Sequence, residues 1–273
     1  MRELTIGKND AGARLDRFLG KALPLLPPAL AQKYIRIKRV KVNGGRAQRD
    51  QRLQEGDVLQ LYINDEFFDK PSEENMFLTL FKPRLTVVYE DEHLLLADKP
   101  QGMVVHADET EKVNTLINHI QAYLYQKREW NPKWENAFAP ALCNRIDRNT
   151  GGIVIAAKDA ETLRLINEKI RLRELDKRYL CVTVGRPKRD SGRAECFLLK
   201  DEQKKQVTVY HKPVPGGKTA ITDYRVLETR GELSLVEIGL ETGRTHQIRA
   251  TMADLGCPLL GDGKYGRGDV NRR

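Results

Sequence analysis

The sequence has 273 residues, 40% of them apolar and 31% charged, with 47 lysines and arginines against 38 acids for a net charge of +9. That is enough chain for one large domain, or a large and a small one, in a soluble globular protein, and the charge balance favours a polyanionic partner. No apolar run is long enough to span a membrane, MRELTIGKND has no secretion-signal core, and Cys143, Cys181, Cys196 and Cys257 lack metal or disulfide spacing. A monomeric cytoplasmic protein with reduced thiols and no metal is expected.

The elements follow in chain order. RLDRFLGKAL reads as a short amphipathic helix with Leu15, Phe18 and Leu19 on one face. Pro24, Pro27 and Pro28 break it, and Pro28 opens a second helix through Leu30, Tyr34 and Ile37. Val40-Lys41-Val42 runs into Asn43-Gly44, a hairpin signal, and VLQLYI closes the unit after a Gly56-Asp57 turn. Between Ala31 and Arg52 lie eight bases and one acid. Lys33, Arg36, Lys38, Arg39 and Lys41 are the candidates for docking on a phosphate backbone. Residues 64–75, NDEFFDKPSEEN, are polar and without periodicity, so 65–84 is expected to be a linker between a domain at 1–64 and another at 85–273.

Beyond the linker, LTVVYEDEHLLLADKP gives two strands, and a helix follows through Leu116, Ile117, Ile120 and Leu124. GIVIAAK is a strand, and DAETLRLINEKIRLREL is a helix with Asp159 as its cap. RYLCVTVG, KTAITDYRVLE and LSLVEIGLE are strands of period two. TGRTHQIRATMADLG turns into a helix, with Thr245 as candidate cap and Gly256 as candidate stop. Many strands and few helices in no strict alternation predict an α+β domain on a mixed, largely antiparallel sheet with flanking helices, beside a small N-terminal α/β domain.

The chemistry centres on LCNRIDRNTGGIVIAAK, where Asp147 lies between Arg145 and Arg148 at the mouth of a strand. A carboxylate between guanidinium groups stays ionised at neutral pH, which suits a nucleophile or charge stabiliser and excludes a general acid. If RID is extended, Arg145 and Asp147 share a face while Ile146 points to the core. No second acid lies nearby, so the two-carboxylate layout of ordinary glycosidases is not indicated. On these residues alone a site and a structural ion pair are equally open.

NRIDRNTGGIVIAAK resembles the signature of the RluA-type pseudouridine synthases. YEDEHLLLADKPQGMVVH, KRYLCVTVG, GGKTAITDYRVLE and TGRTHQIRATMADLGCPLLGDGKYG fall in that family's order. KRVKVNG with EGDVLQLYI is similar to the alpha-L RNA-binding domain first seen in ribosomal protein S-four. The resemblance implies the pseudouridine synthase fold and the isomerisation of uridines in structured RNA, by base flipping and without a cofactor. Large-subunit ribosomal RNA is the implied substrate, with transfer RNA as the other candidate. It implies that Asp147 is the catalytic aspartate, that Tyr179 stacks on the uracil, and that Arg249 pairs with the aspartate. Ile248 would pack against the base and Arg145 would fill the vacated stack. Arg148, Arg244 and His246 complete the implied substrate contacts. Whether the aspartate attacks sugar or base stays open.

Without the resemblance, Tyr179 reads as a core aromatic, Arg249 as a surface charge and GDGKYGRG as a flexible turn. His106 is given no chemistry. Asn144 stands where the family usually has His, and members usually continue past GDxxYG with a further histidine and strand. This sequence is therefore either a piece of a longer protein or from a branch that ends early. A non-catalytic RNA-binding or ribosome-assembly factor and a nucleoside or glycoside hydrolase are the alternative functions.

Overall fold

Prolines and an Asn-Gly pair set the outline of the N-terminal module. After β1 (Arg2–Thr5), α1 (Leu15–Ala22) buries Leu15, Phe18 and Leu19. Helix α2 (Pro28–Arg36) starts at Pro28, whose missing N–H costs nothing in a first turn. β2 (Val40–Val42) and β3 (Gly45–Arg46) are joined through Asn43 and Gly44, both left-handed, which matches the twist of a two-residue hairpin. β4 (Val58–Leu61) completes an antiparallel sheet in the order β1-β4-β2-β3, closed over Ile6, Phe18, Val40, Leu59 and Leu61.

The computed structural model describes every residue except 70, 71, 202, 267, 269, 270, 272 and 273, and of 72–75 only the backbone. Lys70 and Pro71 of the expected linker, and Arg267 of the glycine-rich turn, thus lie outside the described residues. The rest of that linker holds two 3-10 turns, Asp65–Phe68 and Ser72–Thr79. The second carries buried Phe77, whose ring lies 5.7 Å from that of Tyr125 and 5.1 Å from that of Trp130.

The chain forms two units, Met1–Glu168 and Lys169–Arg273. Beside the module, the first holds β5 (Thr86–Glu90), β6 (Leu94–Lys99), α3 (Leu116–Gln126), β7 (Ala141–Leu142) and β8 (Gly152–Ala157), with α4 (Ala160–Arg171) running across the division. Its second sheet is antiparallel in the order β5-β6-β8-β7, and Lys99 at the end of β6 sits opposite Gly152 at the start of β8. Asp159 caps α4 as expected, accepting the Thr162 N–H at 2.8 Å. The module is stitched to this part of the unit. Asn136 donates to the Thr5 carbonyl (2.7 Å), Asn9 donates to Glu135 (2.8 Å), and Asn9 also accepts from the Ala160 N–H (3.1 Å).

The second unit is a five-stranded antiparallel sheet in the order β11-β10-β12-β13-β9, with α5 (Gln247–Asp254). Its strands are β9 (Arg178–Val184), β10 (Ser191–Asp201), β11 (Gln206–Tyr210), β12 (Lys218–Arg230) and β13 (Leu233–Leu240). Met252 and Ala250 of α5 are buried in two apolar clusters, with Val236 and Ile238 in one and Ala220 in the other. Gly256 ends α5 in the left-handed region, as expected. Thr245 is not the cap. The N-cap is His246, itself left-handed (φ 52°), with no side-chain capping bond. The architecture is α+β throughout, as the sequence pattern predicts.

Candidate active site

Asp147 belongs to the irregular stretch between β7 and β8. Arg145 is exposed, Ile146 buried and Asp147 half-buried, the alternation expected of an extended RID segment. The stretch stays tied to β8, because the Cys143 N–H donates to the Ile155 carbonyl at 2.8 Å. Asn144 extends that tie with its side chain, accepting the Ile155 N–H (2.8 Å) and donating to the Ile153 carbonyl (3.4 Å). Asn144 thus acts as an extra strand residue. Cys143 offers no rival nucleophile: burial pushes its thiol up to about 11, so it stays protonated at neutral pH.

The turn after Asp147 is held from below by Lys99, which is fully buried. Its ammonium donates to the carbonyls of Pro100 (3.0 Å), Met103 (2.7 Å) and Arg148 (3.0 Å). Burial holds the Lys99 pKa below its ordinary value, and the charge of Asp147 opposes that shift. The Gly102 N–H adds a 2.8 Å bond to the Arg148 carbonyl. Arg148 turns its guanidinium to Asp108 (2.8 Å) and the Thr110 hydroxyl (2.6 Å). The Thr110 hydroxyl and N–H, together with Arg148, hold the Asp108 carboxyl far below the usual range. Burial first, and the charge of Arg145 second, hold the His106 pKa below its ordinary value.

In the second unit, Tyr179 of β9 and Ile248 of α5 flank the same apolar cluster, both half-buried. Tyr179 thus packs at the edge of the core with part of its side chain accessible. The start of α5 is pinned by Gln247. Its Oε1 accepts the Thr242 hydroxyl (2.9 Å) and the Arg244 N–H (3.0 Å), while Nε2 donates to the Ile221 carbonyl and to Thr222, both at 3.0 Å. Arg244 is exposed and donates from Nε to the Thr219 carbonyl at 3.0 Å. His246 Nδ1 lies 2.9 Å from the Tyr265 hydroxyl. Arg249 makes a two-pronged pair with Asp262, Nε to Oδ2 at 2.7 Å and Nη2 to Oδ1 at 2.8 Å. With its side chain 23% exposed and that of Asp262 3%, Arg249 is not an ordinary surface charge.

In the module, Lys33 and Arg36 of α2 line one recess with Arg46 and Arg49. Arg39 and Lys41 instead lie over aromatic rings, Tyr34 at 5.1 Å and Tyr62 at 5.4 Å. Lys38 is exposed at a left-handed corner after α2. The bases thus form a recess and an aromatic-backed edge, a positive surface suited to phosphates.

The RNA pseudouridylate synthase family matches residues 93–254, more than half of the chain. The chain belongs to that family. Residues 13–59 match the S4 domain. The uncharacterized RNA pseudouridine synthase YlyB of Bacillus subtilis is 30% identical, covering 97% of this chain and 82% of its own. The ribosomal large subunit pseudouridine synthase C of Rickettsia typhi is 31% identical over 94% of this chain and 83% of its own. A solved structure, human RNA pseudouridylate synthase domain containing 4, shares the fold with a TM-score of 0.56 at 22% identity, covering 73% of this chain and 74% of that one. This RluA-type synthase with an N-terminal S4 domain is thus an enzyme that isomerises uridine to pseudouridine in RNA, and the non-catalytic reading is set aside. Among the described residues no helix of the synthase is long and apolar enough to cross a membrane.

Sequence reasoning missed Lys99, Gln247 and Asp262. Lys99 looked like one more base in a Lys-Pro turn, Gln247 a neutral residue between two candidates, and Asp262 part of a flexible glycine-rich stretch. Their signal was position within quoted motifs, which says nothing of burial.

Proposed function

We propose that the synthase modifies specific uridines of structured RNA, with large-subunit ribosomal RNA as its substrate, through Asp147, Tyr179 and Arg249. In this reading residues 1–64 dock RNA through Lys33, Arg36, Lys38, Arg39 and Lys41, residues 65–84 link, and residues 85–273 catalyse. The protein acts as a cytoplasmic monomer without a cofactor, since isomerisation oxidises nothing and adds no group.

The target nucleotide leaves its stack, at a cost of a few kcal/mol. Arg145 fills the gap, and the uracil lies against Tyr179 and Ile248, surfaces that hold a flat ring while letting it rotate. Asp147 attacks or stabilises the electron-poor centre as the glycosidic bond breaks. Arg249 partners the carboxylate, and Tyr179 helps remove the proton from ring carbon five as the carbon–carbon bond forms. Arg148, Arg244 and His246 hold the flanking RNA. For the two arginines this means exchanging Asp108 and the Thr219 carbonyl for phosphate oxygens.

The observation that carries the reading is the placement of Asp147, half-buried on a turn fixed by a buried ammonium, since a surface ion pair needs no such support. The support for ribosomal RNA is the name of the Rickettsia relative and the basic S4 domain. The test uses total RNA from a strain lacking the protein, labelled with uridine tritiated at carbon five. Tritium release by the wild type and not by Asp147→Asn is expected, followed by mapping of the modified base to 23S-type RNA. Release only from transfer RNA would overturn the substrate, and release by the variant would overturn the role of Asp147.

A further inference from the structure

The GDGKY turn after α5 is a built support. Asp262 is buried, and besides the two prongs to Arg249 its Oδ1 accepts the N–H groups of Lys264 (2.8 Å) and Tyr265 (3.1 Å). Its backbone carbonyl accepts from the Gly266 N–H at 2.9 Å and from Asn271 at 3.0 Å. A Cβ at Gly266 would come within 2.2 Å of that carbonyl, so the close approach requires glycine. Tyr265 accepts the Val207 N–H of β11 at 2.7 Å, meets the His246 ring edge-on at 5.6 Å, and lies 5.2 Å from the Arg249 guanidinium. His246 and Arg249 are three apart at the start of α5, so they lie on one face of it, and this one turn grips both.

A two-pronged pair fixes the plane of a guanidinium as well as its position. Asp262 is itself fixed by two backbone N–H groups, so the orientation of Arg249 is inherited from the turn. Burial opposes the ionised form of Asp262, yet Arg249 and those N–H groups hold its pKa below the ordinary carboxylate value. A purely structural ion pair of this burial contributes little net stability over an apolar replacement, which leaves orientation as the reason for its form.

We infer that Asp262 is a positioning residue for Arg249, and that Tyr265 extends the same support to His246. The inference rests on the reading of Arg249 as part of the catalytic set. Asp262 acts through Arg249, by setting the angle of its guanidinium.

The experiment is single-turnover tritium release at saturating enzyme, with RNA affinity and thermal melting measured on the same proteins. Asp262→Asn keeps the shape and removes the charge. Its rate at saturation is expected to fall about 100-fold, with RNA affinity within about twofold of wild type. Asp262→Glu, which keeps the charge one methylene further out, recovers part of the rate, and it decides the matter if Asp262→Asn does not fold. In an Arg249→Ala background Asp262→Asn is expected to cost nothing further. A wild-type rate in Asp262→Asn or Asp262→Glu, or an additive loss in the double variant, would overturn the positioning role while leaving Arg249 in place. A wild-type rate in Arg249→Ala would sink the catalytic reading of Arg249 and the role of Asp262 with it.

Discussion

The turn that carries Asp147 and the helix start that carries Arg249 are each held by a buried charge, of opposite sign. Under the first, the Lys99 ammonium gathers three backbone carbonyls. Under the second, the Asp262 carboxylate gathers two backbone N–H groups and a guanidinium. A buried ammonium is at home among carbonyls, a buried carboxylate among N–H groups, and each converts an irregular segment into a fixed one. The difference lies in what each support touches. Lys99 grips only backbone and holds the loop, whereas Asp262 grips a side chain assigned to catalysis.

Removing the acid itself gives the largest effect. Asp147→Asn is expected to lower turnover by about 10⁴-fold or more while RNA affinity stays near wild type, as read by tritium release and filter binding. Retained turnover would remove Asp147 from the chemistry and leave the Lys99 support without a client. Lys99→Met comes next, since it strands the Pro100 and Met103 carbonyls, leaves that of Arg148 with the Gly102 N–H alone, and costs about 3 kcal/mol of unfolding free energy, read from the urea midpoint. Its turnover should fall as well, because the loop loses its anchor. Unchanged stability would mean that the backbone turn alone holds the loop.

Docking is expected to be separable from both supports. Arg36→Glu with Arg39→Glu should weaken RNA binding and flatten its dependence on salt, without altering the saturated rate. An unchanged salt slope would place docking elsewhere on the chain.

His119 provides the smallest effect and a neutral control. It is buried, accepts the Arg84 N–H on Nδ1 at 3.1 Å, and faces Asn114 from Nε2 at 2.7 Å, an arrangement that needs the uncharged ring. Burial first, and Arg84 second, hold its pKa below the ordinary value. Protons therefore bind the unfolded chain first, so the contribution of His119 is complete above about pH 6.5 and is lost as pH falls from there toward the lowered native value. Melting of wild type against His119→Gln across that window reads the effect, and parallel curves would show that His119 does not titrate in it.

Much of this was legible in local sequence. Prolines, the Asn43-Gly44 pair and clean apolar periodicity placed α1, α2, β2, α3, α4 and β13. β10 and β11 escaped because SGRAECFLLKD has no steady alternation, and pairing with β12 far along the chain makes the strand. The acid-rich run from Asn64 read as linker, while Phe77, which anchors its far side, has ring partners some fifty residues away in Tyr125 and Trp130. Asp147, Tyr179, Ile248 and Arg249, the residues proposed for the chemistry, were visible through their motifs. What held them was not, since Asp262 is 13 residues from Arg249 and Lys99 is 49 from Arg148, and a buried charge looks in sequence like any exposed one.

The stitches through Asn9 and Asn136 bear on how a target could be chosen. With the S4 module bonded to the body that carries Asp147, an RNA held at Arg36 is held at a set distance from the aspartate. In the proposed reading, selection would work like a caliper set to the span from the docking helix to a uridine, and a stem lengthened by one base pair would carry that uridine out of reach.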